Sequence, residues 1–158
     1  NGGTSCRRFH QRGCVSLIMK LVVDTGPFIA IFSRTDSQHE NCYRGYKQIV
    51  AEGGDLYTPF PIFCEIHKLL LQRLGDRVAR TQLIALEEAV SVVPFDLMEI
   101  QDAMELVRST PQWQGTLQDA SIVVLTRALN CPVWTLDYRD LARFSDLEFW
   151  TPATGKDD

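Results

Sequence analysis

Two rhythms alternate along the chain. Short apolar runs, bounded by turn residues, fall at 20–24 (KLVVD), 55–59 (DLYTP), 90–95 (VSVVPF) and 131–137 (CPVWTLD). Each has the length and the β-branched or aromatic content of a buried strand. A fifth, LEFWTP at 147–152, predicts a last short strand. Between them, apolar residues recur at helical spacing over 36–52, 61–74, 76–89, 97–108 and 117–129. The stretch TGPFIAIFS at 25–33 is expected to open a helix after Pro27. Gly53-Gly54, Gly75 and Asn130 stand where three of the helices should stop. Strands separated by helices predict an α/β domain with a parallel sheet covered on both faces. No internal repeat interrupts the pattern.

The first apolar run ends abruptly at Asp24 and turns through Thr25, Gly26 and Pro27. In parallel sheets the ligand crevice lies beyond the C-terminal strand ends, at a topological switch point. Three more acids should arrive at that edge. Asp137 closes CPVWTLD, Glu65 lies early in the helix after 55–59, and Asp119 lies in the first turn of the helix starting near Leu117. Each has an ordinary structural explanation. Asp24 can cap its turn, Glu65 can pair with Lys68, Asp119 suits a helix N-terminus three residues after Thr116, and Asp137 can form an Asx turn. Together they make a repelling carboxylate group that a cation would relieve. Oxygen ligands without a well-placed His or Cys select Mg²⁺ or Mn²⁺. Asp96, followed by Glu99, instead predicts a capping box, and Asp140 is expected to brace the turn after Asp137.

Composition narrows the field. The 158 residues are 45% hydrophobic and 23% charged, suited to one ordinary folded domain. No apolar run approaches a membrane span, and no membrane partner is expected. Five cysteines without CxxC spacing suggest neither a disulfide framework nor a zinc site, and predict reduced thiols in a cytoplasmic protein. Residues 1–18, NGGTSCRRFHQRGCVSLI, contain Arg7, Arg8 and Arg12 and no acid, and are expected to be a disordered or non-native extension. The domain proper is placed at 19–152, with a tail at 153–158. The net charge is −4, and the domain without its basic extension is more acidic still. Bulk charge therefore cannot hold a nucleic acid, and any phosphate chemistry needs a local cation. Arg34, Arg44, Lys47, Arg73, Arg77, Arg80, Arg139 and Arg143 are the candidate basic contacts.

Three segments, VVDTGPFIAIF, PFPIFCEIHKLL and TLQDASIVVLTRALNCPVWTLDYRDLARF, resemble the motifs of PIN-domain nucleases, nearest to VapC-like toxins of toxin–antitoxin pairs. The resemblance runs from Met19 to about Trp150. It implies a three-layer α/β/α sandwich with a mostly parallel central sheet. It also implies Mg²⁺- or Mn²⁺-dependent cleavage of RNA, a homodimer and a small antitoxin partner. Carried over by position, its acidic metal site falls on Asp24, Glu65, Asp119 and Asp137, with Thr25 and Thr135 as supporting hydroxyls. The alternatives are a stand-alone RNA-processing nuclease, and a metal-binding domain that recognises a partner without catalysis. A phosphatase with a nucleophilic Asp24 is a further rival, but a resemblance to the haloacid dehalogenase family would imply a second Asp where this chain has Gly26. The apolar stretches 27–32, 61–74 and 117–129 are expected to leave some surface for a dimer face or a partner groove.

Overall fold

The structure, a computed structural model, describes residues 18–153. Nearly all of the 1–18 and 153–158 segments falls outside that range. Four strands, β1 (Lys20–Val23), β2 (Asp55–Pro59), β3 (Ser91–Val93) and β4 (Val133–Trp134), form one sheet in the order β3-β2-β1-β4. All three pairings are parallel, with Leu21 opposite Leu56, Val22 opposite Val133 and Thr58 opposite Val92. Among the described residues six α-helices flank the sheet: α1 (Thr25–Phe32), α2 (His39–Ala51), α3 (Phe60–Leu74), α4 (Asp76–Ala89), α5 (Leu97–Ser109) and α6 (Leu117–Leu129). Successive strands step outward from β1 to β3. The chain then crosses back to place β4 on the free side of β1. The switch point thus lies between β1 and β4.

Leu21, Val22 and Val23 are wholly buried, as a central parallel strand requires. Ile62, Ile66 and Leu70 of α3 and Ile122, Val123 and Leu125 of α6 join them in the core. Fully burying each such side chain contributes about 1.5–3 kcal/mol relative to exposure. The buried Thr58 hydroxyl donates to the Val23 carbonyl at 3.0 Å, tying β2 to the last residue of β1. Much of the surface expected to be left for partners is core: Pro27 to Ala30, and Ala120 to Val123, Leu125 and Thr126 of α6, are buried. Phe60 and Leu71 of α3 and Leu117 of α6 remain exposed.

Helix ends follow local chemistry. α3 stops at Gly75, whose φ of 82° suits a residue without Cβ. Asp96 accepts from the Glu99 amide at 2.9 Å, and Glu99 accepts from the Asp96 amide at 2.9 Å, completing the expected capping box of α5. Asp96→Ala should therefore lower stability by about 1 kcal/mol without touching the acidic edge, measurable by urea unfolding.

Several sequence expectations change: α1 opens at Thr25 rather than after Pro27, VSVVPF forms a strand only over Ser91–Val93, and CPVWTLD only over Val133–Trp134. α2 starts at His39 rather than 36, because the Asp36 carboxylate accepts from the Gln38 amide at 2.8 Å and holds a turn there. The strand expected at 147–152 is a single bridge between Val133 and Phe149. Beyond it the chain packs on α2. Trp150 meets Trp134 edge-on at 5.0 Å, and Pro152 lies where a Cβ on Gly45 would come within 2.6 Å of it.

Candidate metal centre

Asp24 follows β1 directly and is the N-cap of α1. One carboxylate oxygen accepts from the Thr25 amide and the other from the Thr135 hydroxyl, each at 2.7 Å. The Asp24 amide donates to the Trp134 carbonyl at 3.0 Å, so the ends of β1 and β4 are locked side by side. The first turn of α1 fits against the loop after β4 because residue 26 is Gly: a Cβ there would lie 3.2 Å from that of Leu136. Asp24 is only 8% exposed. Burial pushes its carboxyl from the ordinary 3.8 to about 6, against the lowering effect of its two hydrogen bonds. The negative charges of Asp119 and Glu65 add to the rise.

Glu65, one turn into α3, accepts from the Thr25 hydroxyl at 2.6 Å. Thr25 thus contacts two acids, through its amide to Asp24 and through its hydroxyl to Glu65. Glu65 forms no ion pair with Lys68 among the described residues. Asp119 caps α6. Its Oδ2 accepts from the Thr116 amide at 2.6 Å, while its own amide donates to Thr116 Oγ1 at 3.2 Å. Gly115 keeps the approach open, since a Cβ there would meet the Trp113 ring at 2.5 Å and Asp119 Oδ2 at 3.2 Å. Asp137 is at the turn after β4, its amide donating to Thr135 Oγ1 at 3.0 Å. Its carboxylate is taken by Arg139, whose Nε lies 2.9 and 3.1 Å from the two oxygens and whose Nη2 closes the fork. That contact holds the Asp137 carboxyl below its usual range.

The structure therefore brings Glu65 and Asp119 within electrostatic reach of Asp24, with Thr25 and Thr135 as the hydroxyls that join Glu65 and Asp24 to their neighbours. Asp137 is tied to the same edge through Thr135, but its carboxylate is paired elsewhere. These donors, all hard oxygens, fit a divalent ion such as Mg²⁺ or Mn²⁺ in kind and in location at the switch point. Their side chains are not closed on one: among the described residues no three His, Cys, Asp or Glu are spaced to hold a metal. Asp119 is turned to Thr116 and Asp137 to Arg139. The sequence reading did not anticipate that last pairing, whose signal is the D-x-R spacing in a turn.

Of the basic candidates, Arg139 and Arg143 lie beside this edge, with Gln112, Gln114 and Asp140. Asp140 accepts weakly from the Gln114 amide, at 3.4 Å, bracing the turn against the loop before α6. Arg80 is paired with Asp76. Arg34 and Lys47 line a separate recess between α1, α2 and α4. Arg73 is in the last turn of α3, which starts at the strands' C-terminal edge and runs away from it.

A parallel α/β domain with acids gathered at its switch point is the class that fold and site define. Residues 21–147 match the PIN domain, and the chain belongs to that family. No curated protein sequence matches it. Among solved structures it is similar to VapC20 of Mycobacterium tuberculosis, described as a sarcin–ricin loop cleaving toxin. That likeness has 21% identity and a TM-score of 0.67, over 81% of this chain and 98% of that one. VapBC-1 of nontypeable Haemophilus influenzae is similar at 15% identity and a TM-score of 0.65, over 86% and 100%. VapBC2 of Rickettsia felis, bound to a promoter DNA fragment, is similar at 12% and 0.65, over 84% and 98%. At these identities the likeness is one of fold. No helix among the described residues is long and apolar enough to cross a membrane.

Proposed function

We propose that this chain is a divalent-metal-dependent endoribonuclease and the toxin of a toxin–antitoxin pair. The observation that carries the reading is the placement of Glu65 and Asp119 within electrostatic reach of Asp24 at the switch point of a PIN-family sheet. The toxin assignment draws on the likeness to VapC20 and to the VapBC proteins.

Asp24, Glu65, Asp119 and Asp137 would hold Mg²⁺ or Mn²⁺, which when bound supplies Lewis-acid stabilisation of the phosphoryl charge. The chain's own contribution is position. Asp24 is fixed by two 2.7 Å hydrogen bonds and Glu65 by one of 2.6 Å, so neither carboxylate must be ordered when substrate arrives. With its carboxyl at about 6, Asp24 is ionised at neutral pH. Asp119 or Asp137 orients the attacking water by accepting its hydrogen bond. The exposed apolar side chains Phe60 and Leu71 of α3 would suit contact with a second copy or with the antitoxin.

The test is loss of a labelled RNA. Cleavage should proceed in Mn²⁺ or Mg²⁺ and stop in EDTA. Cleavage that persists in EDTA would overturn the metal-dependent reading. The adjacent gene product, if it binds the chain and silences cleavage, identifies the antitoxin.

A further inference from the structure

The pairing of Asp137 with Arg139 has a second side. Asp137 is one of the four acids that would hold the ion, yet its carboxylate is engaged by a forked guanidinium two residues away. The pair is exposed, with 86% of the Arg139 side chain and 52% of the Asp137 side chain open to solvent. Such pairs are weakly held, and a doubly charged ion shared with Asp24, Glu65 and Asp119 competes well for the same oxygens. Once displaced, Arg139 has a place to go. Beside it opens a recess of about 530 Å³ lined by Gln112, Gln114, Asp140 and Arg143 as well as Arg139 itself. While Arg139 is spent on Asp137, the positive charge of Arg143 is offset there by Asp140. With Arg139 released the recess becomes net positive, with amide donors from the two glutamines.

We propose that Arg139 is a movable counter-ion that neutralises Asp137 until the divalent ion binds, then turns into the Gln112–Gln114–Arg143 recess to receive an RNA phosphate next to the scissile one. The proposal rests on the metal-dependent nuclease reading. It makes the ion and the RNA cooperative partners: each should raise the affinity of the other by the same factor. It also gives an acidic domain a local anion site that is available only when the ion is in place.

The experiment uses Mn²⁺ alone, by calorimetric titration, and a short phosphorothioate RNA oligonucleotide, by fluorescence anisotropy. The chain is compared with Arg139→Gln, Arg139→Lys and Arg143→Gln. In the parent, Mn²⁺ should tighten oligonucleotide binding by about tenfold. Arg139→Gln should bind Mn²⁺ alone up to about fivefold more tightly, because the competing cation is gone. In Mn²⁺ it should bind the oligonucleotide more weakly, with a salt dependence shallower by about 0.7 in the log–log slope. Arg139→Lys should recover the slope and part of the coupling. Arg143→Gln removes the same charge from the recess without touching Asp137, so it should weaken the oligonucleotide and leave Mn²⁺ affinity near the parent's. Equal gains in Mn²⁺ affinity for Arg139→Gln and Arg143→Gln would reduce the effect to long-range charge and overturn the proposal. So would an Arg139→Gln protein indistinguishable from a parent that cleaves RNA, and in that case the nuclease reading would stand. A parent that neither binds Mn²⁺ nor cleaves would remove both.

Discussion

Asp24→Asn should lower the rate of RNA cleavage by about a hundred- to a thousandfold, and the metal-free fold should be as stable as the parent's or more so. The hydrogen bonds around residue 24 explain why shape survives. The amide oxygen of Asn can accept from the Thr25 amide as the carboxylate does. The Asn nitrogen would face Thr135 Oγ1, which can accept from it and send its own proton to the Asp137 carbonyl, already 3.2 Å away. What is lost is the charge. That charge is costly in the folded protein, because Asp24 is buried and shares its edge with Asp119 and Glu65. Removing it should raise metal-free stability by about 1–2 kcal/mol, the amide keeping part of the desolvation cost. Added Mn²⁺ should then stabilise the parent more than the variant, since only binding to the folded state contributes. The decisive pair of measurements is the melting temperature in EDTA and the cleavage rate in Mn²⁺. A variant that melts several degrees lower yet cleaves at the parent's rate would make Asp24 a helix cap and nothing more.

Asp24 also shows where sequence reasoning was sufficient and where it stopped. A run of three apolar residues ending at an acid and a Gly-Pro turn identified a buried strand delivering a carboxylate to the edge of a parallel sheet. The capping expectation holds, since Asp24 is the N-cap of α1, and the same carboxylate lies within electrostatic reach of Asp119 and Glu65. Asp119 likewise completes the capping box of α6. Periodicity was enough for the strands around β1 and β2 and for helices whose ends carry Gly75, Asn130 or the Asp96–Glu99 box, because those signals are local. The failures are non-local or arise from side chains competing with backbone. CPVWTLD shrinks to Val133–Trp134 as a strand because the Thr135 hydroxyl takes the Asp137 amide and turns the chain. The last strand reduces to one bridge because Trp150 and Pro152 find partners on Trp134 and α2. The Thr25–Glu65 and Thr135–Asp24 bonds join residues far apart in the chain, and no spacing rule announces them.

Without metal, the chain should lose stability as pH rises from about 4 to about 7, by up to about 3 kcal/mol. The cause is Asp24, whose carboxyl stands at about 6 in the fold against an ordinary 3.8. Below pH 4 the group is protonated both folded and unfolded, and it contributes nothing to the pH dependence. Between 4 and 6 the unfolded chain gives up the proton while the folded chain keeps it. The folded state then binds more protons, so raising the pH favours unfolding. Above about 6 both states are ionised, and the penalty has reached its full value. Asp137 and Asp146 act with the opposite sign, because Arg139 and Arg127 hold their carboxyls low. Their contributions are lost only as pH falls below the ordinary carboxylate range, so the two effects occupy separate windows, and both pairs are exposed enough for solvent to weaken them. Urea unfolding in EDTA across pH 4–7 should therefore show a decline in the parent, and Asp24→Asn should flatten it. Mn²⁺ should restore most of the lost stability at pH 7, because an ion that binds ionised carboxylates favours the folded state where protons no longer do. A parent whose metal-free stability instead rises steadily from pH 4 to 7, with Asp24→Asn following the same curve, would mean that Asp24 is not a strained carboxylate, and the electrostatic case for an ion at this edge would fail with it.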